Sequence, residues 1–251
     1  MKKYFNIDLE FNKQTVDQAI DNTIKNGSKG YICVVESNNL TVANINKRFN
    51  DVVNNALVNI CDGSVLASIL GKIHHMNFEA YLGADLFTQY INKKKYRQYF
   101  LGNTPEVLSG LKANLEKIDP KIKDMSFSEL PFRKVEDFDY KSIAENINND
   151  NPDIIWVSLG APKQEFFMAN LLPYLNRGVM FGVGAVFNFN AGTGHVKRAP
   201  LWMRRLKLEW LYRAFEEPQK NIPRYWNFIK ILPSLIISEK KKVKNDKKNH
   251  F

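Results

Sequence analysis

The stretch DIIWVSLGAPKQE (153–165) decides how the chain is read. Its first eight residues are apolar apart from Asp153 and Ser158, which reads as a strand buried on both faces. The run stops at Gly160. Ala161, Pro162, Lys163, Gln164 and Glu165 follow, and then the helical pattern FFMANLLPYL begins. A proline, a cation, an amide and a carboxylate therefore share one turn between a core strand and a helix. In an open α/β sheet that edge is where ligands bind. Pro162 restricts φ and sharpens the turn. Gln164 offers both a donor and an acceptor, which suits a sugar hydroxyl or acetamido group. The alternative is that Gln164 and Glu165 only support the first turn of their own helix.

Working outward, similar apolar runs appear at 31–37, 57–63, 97–102, 122–127 and 179–187. Helical spacing fills the gaps at 14–27, 40–56, 104–118, 139–147 and 163–175. Gly27 is placed to end the first of these helices, and Thr104-Pro105 reads as an N-cap with proline at N1. Alternation of strand and helix implies an α/β fold, a Rossmann-like and mostly parallel sheet with helices on both faces. The expected domains are a core over 1–196, a basic helical appendage over 197–238 and a disordered lysine-rich tail over 239–251. The second appendage helix is expected to be interrupted at Pro233.

Composition bounds the partners. The net charge is +10, and residues 196–251 hold 15 of the 36 Lys and Arg but only 5 of the 26 Asp and Glu. A neutral body with a basic end points to an anionic surface. The N-terminus lacks the apolar core of a signal peptide, and no run reaches the ~18 apolar residues of a membrane span. A cytoplasmic protein, peripheral on a membrane face, is the expectation. Cys33 and Cys61 stand in apolar runs without CxxC spacing, which reads as buried reduced thiols. His74, His75 and His195 have no ligand cluster beside them in sequence, so no metal site is expected.

Two further strand ends carry chemistry. Asp62-Gly63 closes the second strand, where a carboxylate acts as a base or caps the following helix SVLASILG. GVGAVFNFNAGTGHVKRAP (182–200) has small residues, including Gly182 and Gly184, that allow a backbone to approach a diphosphate. Its spacing is neither a Walker motif nor GxGxxG. The first strand, VVESNN, has no glycine fingerprint, which disfavours a nicotinamide oxidoreductase. No helix-turn-helix, RNP or zinc pattern supports nucleic-acid binding, and no G-x-S-x-G supports a serine hydrolase.

The blocks PDIIWVSLGAPKQE (152–165), GVGAVFNFNAGTGHVKRAPLWM (182–203) and LEWLYRAFEEPQK with Arg224-Tyr225 resemble the WecG/TagA/CpsF glycosyltransferases, glycosyltransferase family 26. ICDG (60–63) and LGADLF (82–87) resemble earlier blocks of that family, and the resemblance spans about residues 30 to 226. It implies a GT-E-like fold with a C-terminal appendage. The implied reaction is an inverting transfer of an N-acetylmannosamine-type sugar, or a related hexose, from a UDP-sugar to a lipid-diphosphate-linked sugar. The reaction serves cell-surface polysaccharide biosynthesis at the inner membrane leaflet. No metal or other cofactor is implied, the donor being a UDP-sugar, and the family often forms homo-oligomers.

By position, the resemblance places the general base on Asp62 and an active-site glutamine on Gln164. Its substrate-binding positions fall on Asn38, Gly83, Asp85, Gly160, Pro162, Gly182, Gly184, Arg198, Arg213, Lys220 and Arg224. Glu36 stands where the family has threonine, and Ala80 where it has arginine. Asn188 replaces the acid of an FDF motif, and EPxR becomes EPQK. These departures bear on which donor is used, and they motivate a non-catalytic family member, or a basic membrane- or nucleic-acid-binding protein, as the alternative.

Overall fold

The computed structural model describes residues 2–193 and 197–248. His195 and the expected domain boundary at 196 lie outside the described residues. Six parallel strands form the centre: β3 (Lys29–Val35), β4 (Val58–Cys61), β5 (Gln98–Gly102), β6 (Ser126–Ser128), β7 (Ile154–Ser158) and β8 (Gly178–Gly182), where β1 and β2 are an N-terminal pair described below. Their order across the sheet is β4-β3-β8-β7-β5-β6. The chain steps outward from β3 to β4, then re-enters beyond β8 at β5, so the winding reverses near β3 and β8. Crevices at such reversals are the usual ligand sites of open α/β sheets.

Alternate residues of each strand feed two cores. Tyr31, Cys33, Val35, Ile155, Val157 and Met180 join one. Ile32, Val34, Ile154, Trp156, Val179 and Phe181 join the other. Burial on both sides explains why DIIWVSLG reads as a continuous apolar run. On the first face lie α2 (Ser37–Ile45), α3 (Lys47–Asn54), α4 (Ser64–His74), α7 (Tyr140–Asp150), α8 (Lys163–Leu171) and the C-terminal helix α12 (Pro218–Lys248). On the second lie α1 (Lys13–Lys25), α5 (Gly83–Asn92), α6 (Pro105–Glu116) and α9 (Val186–Ala191). Two short helices, α10 (Leu201–Arg205) and α11 (Glu209–Glu216), complete the appendage.

Local chemistry sets the ends. Asn12 accepts from the N–H groups of Gln14 and Thr15, and Thr104 caps α6 ahead of Pro105. Gly27 follows α1 at φ +63, the left-handed conformation that closes helices. Three elements differ from the sequence reading. The helix expected over 40–56 is two helices, because Asn46 is extended and its side chain accepts from Phe49 N to start α3. The strand expected over 179–187 ends at Gly182, and VFNFNA is helical. The run 122–127 holds a 3₁₀ turn over Pro120–Asp124 and keeps only Ser126–Ser128 as strand.

The N-terminus forms an antiparallel hairpin, β1 (Lys2–Tyr4) with β2 (Ile7–Leu9), through a two-residue turn. Phe5 and Asn6 both have positive φ, the requirement of the hairpin turn that matches strand twist. Phe-Asn is not a usual sequence for that turn. Burial of the Phe5 ring holds it there, since the residue is only 1% exposed.

The C-terminal end also departs from expectation. Pro233 does not interrupt the helix, and the described part of the lysine-rich segment is helical through Lys248. The reason is a buried anchor. Glu239 Oε1 lies 3.0 Å from His74 Nε2, and Glu239 Oε2 accepts from Phe5 N at 3.0 Å. Tyr4 stacks edge-on against His74, while Phe228 and Leu235 of α12 enter the first core. Glu239→Ala would strip buried partners from Phe5 N and His74, at about 1–3 kcal/mol for each group left unsatisfied. Urea unfolding should show a lower midpoint at an unchanged slope; an unchanged midpoint would contradict docking of α12.

Candidate active site

The C-terminal edges of β4, β3, β8 and β7 stand side by side. Val35 pairs with Cys61 in register, so the next residues, Glu36 and Asp62, are neighbours on that edge. Asp62 N donates to Val35 O at 2.9 Å, which ties its backbone to β3. Its Oδ1 accepts from Gly83 N, the first residue of α5, at 2.8 Å. Gly83 is required there: a Cβ would come within 2.8 Å of Val34 Cγ1. Asp62 Oδ2 takes no hydrogen bond among the described residues. Burial pushes the Asp62 carboxyl up to about 7, aided by the charge of Glu36 and opposed by the Gly83 bond and Arg198. A half-buried carboxyl held at one oxygen and titrating near neutrality has the form of a general base.

Glu36 sits ahead of α2 and accepts from Ser37 Oγ at 3.1 Å. Asn38, on the first turn of α2, is 8% exposed, and its side chain has no hydrogen-bond partner among the described residues. It is a buried amide whose polar end is available to a ligand.

Gln164 does something different from the expected sugar contact. It is 4% exposed, and its Oε1 accepts from both Gly160 N (3.2 Å) and Gly184 N (3.0 Å). Its amide donates to Glu165 Oε1 at 3.0 Å. The side chain fastens the turn after β7 to the turn after β8. Gly160 and Gly184 have φ of +76 and +54, and a Cβ at Gly182 would press on Gln164 at 3.0 Å. The three glycines are thus explained by the staple itself, and the Ala161–Pro162 peptide is cis. Lys163 lies over the rings of Phe132 and Phe138, away from this edge. Glu165, read from the sequence as facing solvent or bracing its helix, is fully buried and bonded to Asn39 Nδ2 at 2.9 Å.

The appendage closes over the same edge. Arg224 donates to Ala161 O at 3.2 Å, inside the GAPKQE turn. Arg198 pairs with Asp85 at 2.8 Å and lies 3.9 Å from Glu209. Asp85 is therefore a tether between α5 and the appendage, and is itself exposed. Arg213 and Lys220 both pair with Glu217, at 3.1 and 2.8 Å. Burial raises the Glu217 carboxyl, but the Lys220 bond and the charges of Arg213 and Arg224 outweigh it and hold the group below the usual range. Burial, then the charge of Glu36, pushes the Tyr225 phenol up to about 12. Among the described residues no group of three or more His, Cys, Asp or Glu is gathered as metal ligands.

The structure thus brings Asp62, Glu36, Asn38, Gly83, Gly160, Pro162, Gly182, Gly184, Gln164 and Arg224 to one edge. Arg198, Arg213 and Lys220 occupy the appendage beside it. Sequence reasoning missed Asn39, Glu217 and Tyr225. Helical spacing carries a signal for Glu165, since Glu165 and Met168 are three residues apart and share the inward face of α8.

Residues 4–247 match the glycosyl transferase WecG/TagA/CpsF family. A Bacillus subtilis (strain 168) protein named N-acetylglucosaminyldiphosphoundecaprenol N-acetyl-beta-D-mannosaminyltransferase is 33% identical over 168 residues, covering 66% of this chain and 61% of that protein. A protein of the same name from Bacillus spizizenii (strain ATCC 23059 / NRRL B-14472 / W23) is 29% identical over 191 residues, covering 72% of this chain and 70% of its own. With nearly its whole length matched, the chain belongs to the glycosyl transferase WecG/TagA/CpsF family.

Proposed function

We propose that the protein transfers an N-acetylmannosamine-type sugar from a UDP-sugar to an N-acetylglucosaminyl-diphosphate lipid, with inversion at the anomeric carbon. The observation that carries this is Asp62: one oxygen fixed by Gly83 N–H, the other without a protein partner among the described residues, and a carboxyl raised to about 7. The names of the two relatives support the sugar and the acceptor.

In this reading the acceptor hydroxyl attacks the anomeric carbon as the bond to UDP breaks. Asp62 Oδ2 takes the hydroxyl proton during the attack, an effect worth roughly 10²–10⁴-fold. The leaving diphosphate gains negative charge. Backbone N–H groups near Gly184 and the cations Arg213, Lys220 and Arg224 meet that charge without a metal or other cofactor. Glu217 now occupies Arg213 and Lys220, and a diphosphate would compete for them. Asn38 is placed to hydrogen-bond a substrate hydroxyl or acetamido group.

The acceptor lipid brings the appendage to a membrane. Trp202, Trp210, Phe215 and Trp226 are 60%, 45%, 76% and 58% exposed, and Leu206 and Ile229 add apolar surface among arginines and lysines. Rings at headgroup depth with cations on anionic lipid describe an interfacial segment. No described helix is long and apolar enough to cross a bilayer. Phe228 turns into the first core, and Tyr225 is half-buried with its ring edge-on to Trp210. Removing residues 197–251 would uncover the core at Phe228 and Leu235, so point changes are the cleaner probe.

Three outcomes follow. Asp62→Asn keeps the bond from Gly83 N and should fold, yet lose about 10²-fold or more in kcat; wild-type turnover would contradict the assignment. Because the base acts when deprotonated, wild-type kcat/KM should climb about tenfold per pH unit below about 7; a flat profile from pH 5 to 7 would contradict it. Replacing Trp202 and Trp226 by alanine should weaken binding to phosphatidylglycerol vesicles, with wild-type binding falling as salt rises. Undiminished vesicle binding, or preferential binding to duplex DNA, would refute the interfacial role.

A further inference from the structure

Glu165 is the least expected side chain in the site. It is fully buried, and no Lys or Arg forms an ion pair with it among the described residues. Its Oε1 accepts twice, from Asn39 Nδ2 at 2.9 Å and from Gln164 Nε2 at 3.0 Å. Among the described residues its Oε2 has no partner, and Asn39 Oδ1 is likewise buried and unpartnered. Two orphaned acceptors in one carboxyl–carboxamide pair cannot both be satisfied while the carboxyl is ionised. A proton on Oε2 turns that oxygen into a donor, and acid and amide can then close a two-bond ring. The surrounding titratable groups favour the neutral form. Glu36, at the end of β3, repels a charge on Glu165, and Cys33 on β3 is a buried thiol. Gln164 and Asn39 are neutral.

We propose that Glu165 is held as a neutral carboxylic acid that donates to Asn39 Oδ1, and that it acts as a positioning residue by orienting Gln164. The chain of contacts is direct. Asn39 belongs to α2, which starts beside Glu36 and Asn38. Glu165 joins it to Gln164, and Gln164 joins the turns at Gly160 and Gly184. The neutral acid therefore links the strand end that carries Glu36 to the two turns that shape the diphosphate side. Ionising Glu165 leaves Asn39 Oδ1 and Glu165 Oε2 without donors, sets a second negative charge against Glu36, and loosens the Gln164 bridge. Burial is the main force that raises this carboxyl, to about 7.

The role in turnover rests on the transfer reaction proposed above; the protonation state does not. Glu165→Gln is the decisive variant, because its amide can donate to Asn39 Oδ1 while its carbonyl accepts as Oε1 does. Thermal melting needs no substrate. The native carboxyl keeps its proton up to about 7, whereas the unfolded one releases it near 4.5. Wild-type stability should therefore fall, relative to Glu165→Gln, as pH rises from 5 to 8. A melting difference that stays constant or reverses sign overturns the proposal.

In turnover, Glu165→Gln should keep the acid-side rise set by Asp62 and remove a wild-type decline in kcat above pH 7, with KM little changed. Glu165→Ala should lose about 10- to 100-fold in kcat through misplacement of the turns. A decline that persists in Glu165→Gln, or full activity in Glu165→Ala, overturns the positioning role. Absence of transfer in every variant, with the melting difference as expected, would instead count against the proposed substrates.

Discussion

One carbonyl oxygen, Gln164 Oε1, accepts the backbone N–H groups of Gly160 and Gly184 together. Each of those glycines has a positive φ, and the same two turns are also braced by Ser158 Oγ, which donates to Gly184 O at 2.7 Å, and by Arg224, which donates to Ala161 O at 3.2 Å. The bridge spans the C-terminal ends of adjacent strands β7 and β8, beside the reversal in the sheet's winding. Together with the Ser158 Oγ bond to Gly184 O, it fixes the two loops against one another. A diphosphate site built from backbone donors needs their direction set before the ligand arrives. Gln164, read from the sequence as a sugar contact, gives its carbonyl to these two N–H groups and its amide to Glu165.

Around that bridge the fold separates charge by element. The sheet edge supplies carboxyls: Glu36, Asp62 and Glu165, all from the core. The appendage supplies cations: Arg198, Arg213, Lys220 and Arg224. Contacts across the divide include Arg198 with Asp85, Arg224 with Ala161 O and Arg213 over the Phe189 ring. The far end of α12 is fixed by Glu239 in a buried pocket formed by His74 and the Phe5 turn. Pinned at one end and carrying exposed tryptophans at the other, the appendage presents a basic aromatic face over the site. Those tryptophans lie on the same segment as the arginines proposed for the leaving diphosphate.

The sheet was legible because fully buried parallel strands leave continuous apolar runs, as in DIIWVSLG and YICVVES. The helices between them follow from spacing and caps such as Thr104-Pro105. The N-terminal hairpin was not legible, since Phe5-Asn6 carries no turn signature and depends on burial of Phe5 and a bond from α12. Continuity of α12 past Pro233 was hidden for a similar reason: it depends on Glu239, a charged residue whose burial no local pattern announces. The break at Asn46 turned on an asparagine preferring a cap to a helix interior. At the site, Asp62 could be read as base or cap; α4 takes no side-chain cap, while the bond from Gly83 N and the raised carboxyl both depend on tertiary packing. Glu165 and Asn39 are separated by 126 positions, and only the packing of α8 on α2 brings them together.

The central claim is that Asp62 stands beside a nucleotide-diphosphate site formed by the turns at Gly160 and Gly184. A crystal structure of the protein with UDP tests it most directly. The account predicts the diphosphate against backbone N–H groups near Gly184, with Arg213 or Arg224 turned onto it and Asp62 Oδ2 facing the space beyond the terminal phosphate. A nucleotide bound at another edge of the sheet, with Asp62 far from its terminal phosphate, would contradict it.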